Sequence, residues 1–304
     1  MDVRGRRITV FGMADSGIAI ADLLHRRGAL VTASDVKPRE ALPAFDHPFI
    51  PQSPAALEHC DIAVLSPGVP PDQPIFEQAA VRGVLVVGDV EAASWFLQGP
   101  VLGITGTNGK TTTTALAGHL LREAGIPCQV GGNIGRPVAA MVETSRPDQW
   151  NVLELSSFQL ETSRTLRVRI AAVLNITQNH LDRHHTFERY AAAKARILAC
   201  QQPEDFAVLN AENAASAALA SQARGQVRWF SAGGPCARGF WMQGGQLIAD
   251  GTPFMAAAEI PLRGRHNVEN VLAAACCAWL AGAPLEAIRR GVASFQGVEH
   301  RIEF

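Results

Sequence analysis

Residues 101–112 constrain this 304-residue chain more than any others. An apolar run, Val101 to Thr105, passes directly into Gly106-Thr107-Asn108-Gly109-Lys110-Thr111-Thr112, and a periodic stretch through Leu116, Leu120 and Leu121 follows as far as Gly125. Strand, glycine-rich loop and helix in that order aim backbone N–H groups and a helix N-terminus at one point, which suits a phosphate. Lys110 adds a positive charge there, and a hydroxyl of Thr111 or Thr112 is placed to ligate Mg²⁺. The spacing departs from G-x-x-x-x-G-K-[ST], because position 104 is Ile104 and Gly103 lies one residue too early. The expected setting is a P-loop-type α/β ATPase domain.

The opening of the chain carries a second nucleotide-type pattern. A strand from Ile8 to Phe11 leads to Gly12-Met13-Ala14-Asp15-Ser16-Gly17; a helix with apolar Ile18, Ala21, Leu23 and Leu24 ends at Gly28, and a strand from Leu30 to Ser34 terminates in Asp35. This is the βαβ start of a Rossmann-like doubly wound sheet, with an acid about 20 positions after the glycine turn, where a ribose hydroxyl is held. Ala14 stands where a middle glycine would admit a pyrophosphate. A nicotinamide cofactor, another nucleotide-like ligand and a merely structural turn all stay open, the second favoured. Strands from Ile62 to Leu65 and Val84 to Val87 end in the loops Ser66-Pro67-Gly68-Val69-Pro70 and Gly88-Asp89-Val90-Glu91. The Gly-Pro break after Leu97-Gln98 then sets a boundary. The expected division is a Rossmann-like domain over 1–98, an ATP-binding domain over 99–298 and the start of a linker over 299–304.

Composition narrows the partners. Lys and Arg total 27 against 28 Asp and Glu, for a net charge of -1. A chain this close to neutral is not a nucleic-acid-coating protein, and its anion sites must be built locally. Cys60, Cys128, Cys200, Cys236, Cys276 and Cys277 show no CxxC spacing and read as small hydrophobes in a reducing, cytoplasmic setting. The apolar stretch from Val271 to Leu285 contains Gly282 and Pro284 and is too short to span a bilayer, so no membrane partner is expected.

Further candidates lie at strand ends. Glu154 closes the strand Asn151 to Leu155, and a carboxylate at the end of a strand that follows a phosphate loop can hold Mg²⁺ with phosphate oxygens. The strand Ala171 to Asn175 leads to a loop with His180, Asp182, His184 and His185, whose spacing fits no zinc module. An active-site loop using His180 and Asp182 is favoured over a polar surface turn. A helix from Thr186 to Cys200 presents Lys194 among alanines, and Asn267 and Asn270 share a face at the start of a helix running to Ala281, where they cap it or contact a base.

Taken together, Thr105-Gly-Thr-Asn-Gly-Lys-Thr111, Gly131-Gly-Asn-Ile-Gly135, Glu154-Leu-Ser-Ser-Phe-Gln-Leu-Glu161, Asn175-Ile-Thr, His180-Leu-Asp-Arg-His184, Lys194, Gly264, His266-Asn267, Asn270 and His300-Arg301 resemble the Mur ligases. Glu154–Glu161 and Gly88–Glu91 point within that family to the branch that adds glutamate. The resemblance spans essentially the whole chain. It implies an ATP-dependent amide ligase of peptidoglycan synthesis, a cytoplasmic monomer joining D-glutamate to UDP-MurNAc-L-Ala through an acyl phosphate. By the same resemblance, Gly106, Thr107, Asn108, Gly109, Lys110, Thr111, Thr112, Asn267, Asn270 and Arg301 take ATP. Thr111 and Glu154 hold one Mg²⁺; His180 and Lys194 hold a second, with Lys194 carbamylated. Asp15, Ser16, Asp35, Lys37 and Gly68 cradle the UDP portion, and Asn133 and His180 approach the muramoyl group. Lys110, Glu154, His180 and Lys194 are the implied catalytic set.

Departures from the family pattern open alternatives. Asn179 replaces an acid before His180, and Ala14 replaces a glycine. Family members continue into a third domain, which is expected to begin about where this sequence ends at Phe304. The alternatives are a two-domain fragment that binds both substrates without turnover, an L-glutamate-adding relative, and a nicotinamide-dependent enzyme with an accessory ATPase domain.

Overall fold

The computed structural model of the protein describes residues 1–297, so the ATP contact expected at Arg301 lies outside the described residues. The chain forms two compact units. The first comprises Met1–Leu97 together with Arg136–Thr144 and Phe158–Leu166; the second comprises Gln98–Gly135, Ser145–Ser157 and the chain from Arg167 onward.

In the first unit strands and helices alternate: β1 (Arg7–Phe11), α1 (Asp15–Arg26), β2 (Leu30–Ser34), β3 (Ile62–Leu65), α2 (Pro74–Val81), β4 (Leu85–Gly88) and α3 (Asp89–Ser94). The order β2-β1-β3-β4 is parallel throughout. Such sheets are covered on both faces, which is why β3 reads as an unbroken apolar run, buried at every position. Ile20, Ala21, Leu23 and Leu24 of α1 are buried on one side, and Phe11 meets Phe76 of α2 edge-on at 4.9 Å on the other. The segment Gly88-Asp89-Val90-Glu91 is not the loop read from the sequence. Extended Gly88 is the N-cap of α3, and Asp89 and Glu91 occupy its first turn, where acids suit the helix dipole.

The second unit continues with β5 (Val101–Thr105), α4 (Lys110–Glu123), β6 (Cys128–Gly132) and β7 (Trp150–Glu154); α5 (Val138–Met141) falls in the first unit, as does α6 (Ser157–Leu160) from Phe158 on. Then come β8 (Ile170–Val173), α7 (Leu181–His184), α8 (Phe187–Ala195), β9 (Phe206–Asn210), α9 (Ala214–Ala218), β10 (Gln226–Ser231), β11 (Gly239–Gln243), β12 (Gln246–Ala249), β13 (Thr252–Ala256), α10 (Arg265–Leu280) and α11 (Leu285–Ser294). Its nine-stranded sheet runs β13-β12-β11-β10-β9-β8-β5-β7-β6. The strands from β6 to β11 are parallel, and β12 and β13 close one edge antiparallel, the first through a turn at Gly244-Gly245. Leu116, Leu120 and Leu121 of α4 share a core with Leu272, Cys276 and Cys277 of α10. Those two cysteines are buried as small hydrophobes, and all six are free. No helix among the described residues is long and apolar enough to cross a membrane.

Candidate functional site

The second unit builds its site where β5 and β7 end. The loop between β5 and α4 is stapled from behind by Asn175: Thr107 N donates to Asn175 O at 2.8 Å, Asn108 N donates to Asn175 Oδ1 at 2.8 Å, and Asn175 Nδ2 donates back to Asn108 O. The last loop residue, Gly109, takes φ +82, and a Cβ there would meet Asn270 Oδ1 at 2.3 Å, so only glycine fits both conformation and space. Lys110 Nζ donates to the carbonyls of Gly106 at 3.1 Å and Thr107 at 3.0 Å, which holds its charge at the loop.

Glu154, at the end of β7, is 2% exposed. Its two carboxylate oxygens accept separately, one from Thr111 Oγ1 and the other from Asn133 Nδ2, each at 2.9 Å. The sequence-predicted residues Thr111, Glu154 and Asn133 thus form one cluster from three elements. Hard oxygens of this kind suit Mg²⁺ supplemented by phosphate oxygens. Among the described residues no three His, Cys, Asp or Glu side chains converge as a metal-binding group, so a metal here relies on the threonine hydroxyl and the nucleotide as well.

Lys194 projects from α8 into the same region and is 1% exposed. Its Nζ donates to Gly106 O at 2.7 Å and lies 4.7 Å from the ring centre of Tyr190. Burial, aided by the charge of Lys110 and opposed by Glu154, brings its pKa down to about 7. A lysine in this state is a neutral amine for much of the time at physiological pH, which makes it a nucleophile. Thr186 caps α8 by accepting from Arg189 N, and the helix gives way to a 3₁₀ turn at Arg196–Leu198, short of the Cys200 end expected from the sequence.

The histidine-bearing loop divides by environment. His180 takes a left-handed φ of +51 ahead of α7 and is exposed, with its ring 6.2 Å from that of Tyr190. His184 is buried against Ser157 Oγ at 3.0 Å, and burial, with the nearby cations Arg183, His180, Lys194 and His185, lowers its pKa to about 4. His184 was named from the sequence as part of this loop without a role, and Ser157 and Tyr190 were given none. The signal for Tyr190 was available, as it is the chain's single tyrosine and stands four residues before Lys194.

Beside the phosphate loop lies a cavity of about 620 Å³ lined by Asn108, Gly109, Thr112, His266, Asn267 and Asn270 among others. Asn267 Nδ2 donates to Arg263 O and its Oδ1 accepts from Asn270 Nδ2, while Asn270 Oδ1 accepts from Thr113 Oγ1. Of the two roles open to this pair, helix capping is not the one taken: α10 has no side-chain cap, and both amides border the cavity.

The first unit presents a separate candidate site at the carboxyl ends of β1, β2 and β3, where the strand order switches. Asp35 bridges two loops, accepting from Met13 N at 2.7 Å and from Lys37 N at 2.9 Å. Ser66 Oγ donates to Gly12 O at 2.6 Å, which ties the loop after β3 to the loop after β1. Asp15, Lys37 and Gly68 are exposed and Ser16 is half-buried, so all five predicted positions collect at these strand ends. Gly17 is obligatory, because a Cβ would lie 1.8 Å from Gly12 O, whereas exposed Ala14 serves as N-cap of α1 with a φ of -85, which needs no glycine.

Comparisons with known proteins agree with this architecture. Residues 104–278 match the Mur ligase middle domain. A UDP-N-acetylmuramoylalanine--D-glutamate ligase of Solibacter usitatus is 55% identical, over 100% of this chain and 70% of that protein. Its namesake in Acidobacterium capsulatum is 47% identical, over 100% and 69%. Among solved structures, UDP-N-acetylmuramate:L-alanyl-gamma-D-glutamyl-meso-diaminopimelate ligase from Neisseria meningitides superposes with a TM-score of 0.67 at 18% identity, covering 97% of this chain and 100% of that one. MurF from Acinetobacter baumannii gives 0.60 at 21% identity, covering 98% and 64%. At these identities the structural likeness concerns the fold.

Proposed function

The chain belongs to the Mur ligase family, and from that premise we propose that it acts in ATP-dependent addition of D-glutamate to UDP-N-acetylmuramoyl-L-alanine, as a monomer in the cytoplasm. The observation that carries this reading is the cluster of Lys110, Thr111, Glu154 and Asn133 around one phosphate loop. The names of the two bacterial relatives, at 55% and 47% identity, support the substrate.

A carboxylate is a poor electrophile because it has no good leaving group. In the proposed reaction its oxygen attacks the γ-phosphorus of ATP, ADP leaves, and the resulting acyl phosphate is attacked by the glutamate amine; the tetrahedral adduct then expels inorganic phosphate and loses a proton. Lys110 neutralises charge on the β/γ-phosphoryl oxygens, and the backbone N–H groups from Gly109 to Thr112, at the start of α4, hold the phosphates, those of Thr107 and Asn108 being taken by Asn175. Asn267 and Asn270 face the nucleoside. Thr111 and Glu154 would hold one Mg²⁺, and His180 and Lys194 would hold a second. Mg²⁺ supplies a hard positive charge opposite the phosphate oxygens. For Lys194 to be a ligand its amine must add to CO₂, giving a carbamate and releasing one proton, and a pKa near 7 supplies the free amine this needs. In the first unit Asp15, Ser16, Asp35, Lys37 and Gly68 cradle the UDP portion; Asn133 and His180 are the residues of the second unit that the family resemblance gives to the muramoyl group. Six free cysteines fit a reducing compartment.

The chain spans about 70% of the length of these relatives. A second reading is binding of both nucleotides without completion of the amide. Calorimetric titration with UDP-MurNAc-L-Ala and Mg·ATP, with NADH as control, tests the assignment. Both natural ligands are expected to saturate. Lys110→Ala should weaken Mg·ATP at least tenfold, since a charge-assisted contact is worth about 1.5–3 kcal/mol, and leave the sugar nucleotide unaffected. Equal loss of both ligands, or preferential NADH binding, would overturn the reading; sustained release of phosphate with glutamate present separates turnover from binding alone.

A further inference from the structure

Tyr190 takes part in none of the steps above, yet it lies beside Thr107, Lys194, His184 and His180. It is 1% exposed. Its hydroxyl lies 3.1 Å from Thr107 Oγ1, in the middle of the phosphate loop. Thr107 Oγ1 also lies 3.2 Å from Thr177 O and accepts from Thr177 N at 3.0 Å. A threonine hydroxyl has one proton, and Thr177 O can only accept, so that proton goes to Thr177 and Tyr190 is the donor to Thr107. This saturates the threonine, with one bond given and two received.

The tyrosine is also a lever. Its phenol oxygen lies on the axis of the ring, so spinning the ring leaves that oxygen in place, and displacing it swings the whole side chain. The ring centre is 4.7 Å from Lys194 Nζ, 5.4 Å from the ring of His184 and 6.2 Å from that of His180. Tyr190 and Lys194 stand four apart on α8, and both reach the loop, the lysine through Gly106 O and the tyrosine through Thr107. Because packed side chains shift together, a change at Thr107 reaches His180 and Lys194 through one buried ring.

We propose that Tyr190 is a positioning residue whose hydroxyl couples the conformation of the phosphate loop to the placement of His180 and Lys194, and so links nucleotide occupancy to the metal side of the site. This rests on the reading of the loop as an ATP site. The test is ATP binding by calorimetry, with and without Mg²⁺, for the wild-type chain, Tyr190→Phe, Thr107→Val and the double variant.

Tyr190→Phe keeps the ring and loses the bond. It is expected to weaken Mg·ATP about tenfold, with metal-free ATP changed less than twofold and thermal stability nearly constant. Thr107→Val, which also loses the two bonds to Thr177, should weaken Mg·ATP at least as much, and the double variant should bind Mg·ATP no more weakly than Thr107→Val alone. Equal losses with and without Mg²⁺ would reduce the hydroxyl to a fold-holding role and overturn the coupling, as would additive losses in the double variant or no loss at all. Failure of the wild-type chain to bind ATP would instead remove the ATP reading, and this inference with it.

Discussion

Lys194 shows how far one side chain departs from its ordinary behaviour when burial decides its charge. Its pKa falls from 10.5 to about 7. In the unfolded chain the same lysine keeps its proton to about pH 10.5, so between pH 7 and 10.5 the unfolded state binds more protons and stability rises with pH. Below pH 7 both states carry the charge and the folded protein bears its full cost. The stability of wild type relative to Lys194→Met, measured by urea unfolding in CO₂-free buffer, is therefore expected to climb across that window, at up to about 1.4 kcal/mol per pH unit. A difference that stays flat from pH 7 to 10 would mean the amine is solvated. Position 194 was legible in the sequence only as a candidate, since a lysine on an alanine-rich helix is usually a solvated charge. Its burial depends on β5 and the phosphate loop meeting α8, which no local pattern encodes. Glu154 was easier to read, because the end of a strand after a phosphate loop is a position that topology itself makes functional.

At the scale of elements, α3 is where the sequence pattern misled. Gly88-Asp89-Val90-Glu91 has the composition of a turn, and it becomes helical because Glu91 finds partners far along the chain. The Glu91 carboxylate accepts from the backbone N–H of Arg164, Thr165 and Leu166, from Thr165 Oγ1 and from Trp95 Nε1. Burial alone would raise its pKa, and these bonds, led by Thr165, more than reverse that. Glu91→Gln sets an NH₂ against donors, so one or more buried N–H groups lose their acceptor, at about 1–3 kcal/mol each. The expected outcome is a loss of about 2–3 kcal/mol from the first unit, followed by denaturant titration of Trp95 fluorescence. An unchanged midpoint would show that water replaces the carboxylate. The helices α1, α4 and α10 were plain in the sequence because their apolar spacing and glycine stops are local signals; β6, β13 and α11 were not read, and a five-residue strand such as β6 has little pattern of its own.

Among the described residues one core gathers around Phe11, Leu65 and Phe76 and another around α4 and α10. A ligand stabilises what it binds by RT ln(1 + [L]/Kd), about 2.7 kcal/mol at a hundredfold excess over Kd. Mg·ATP is accordingly expected to raise the transition reported by Trp229 and Trp279 in the second unit, and UDP-MurNAc-L-Ala the one reported by Trp95 in the first, in single-tryptophan variants followed by thermal melts. Identical shifts at both reporters with either ligand would show that the chain unfolds as one cooperative body. By itself the sequence determined the two glycine-loop starts, the parallel α/β class, the phosphate loop and most of the polar side chains at strand ends, because strand, loop and helix signals act over ten or so residues. Only the tertiary structure decided which polar groups meet. It joined Thr111, Glu154 and Asn133 from three elements, set Tyr190 between the loop and Lys194, and drew Arg136–Thr144 and Phe158–Leu166 into the first unit. Burial and hydrogen-bond partners come from segments far apart in the chain, and those, rather than local pattern, fix the charge of a lysine and the donor at a threonine.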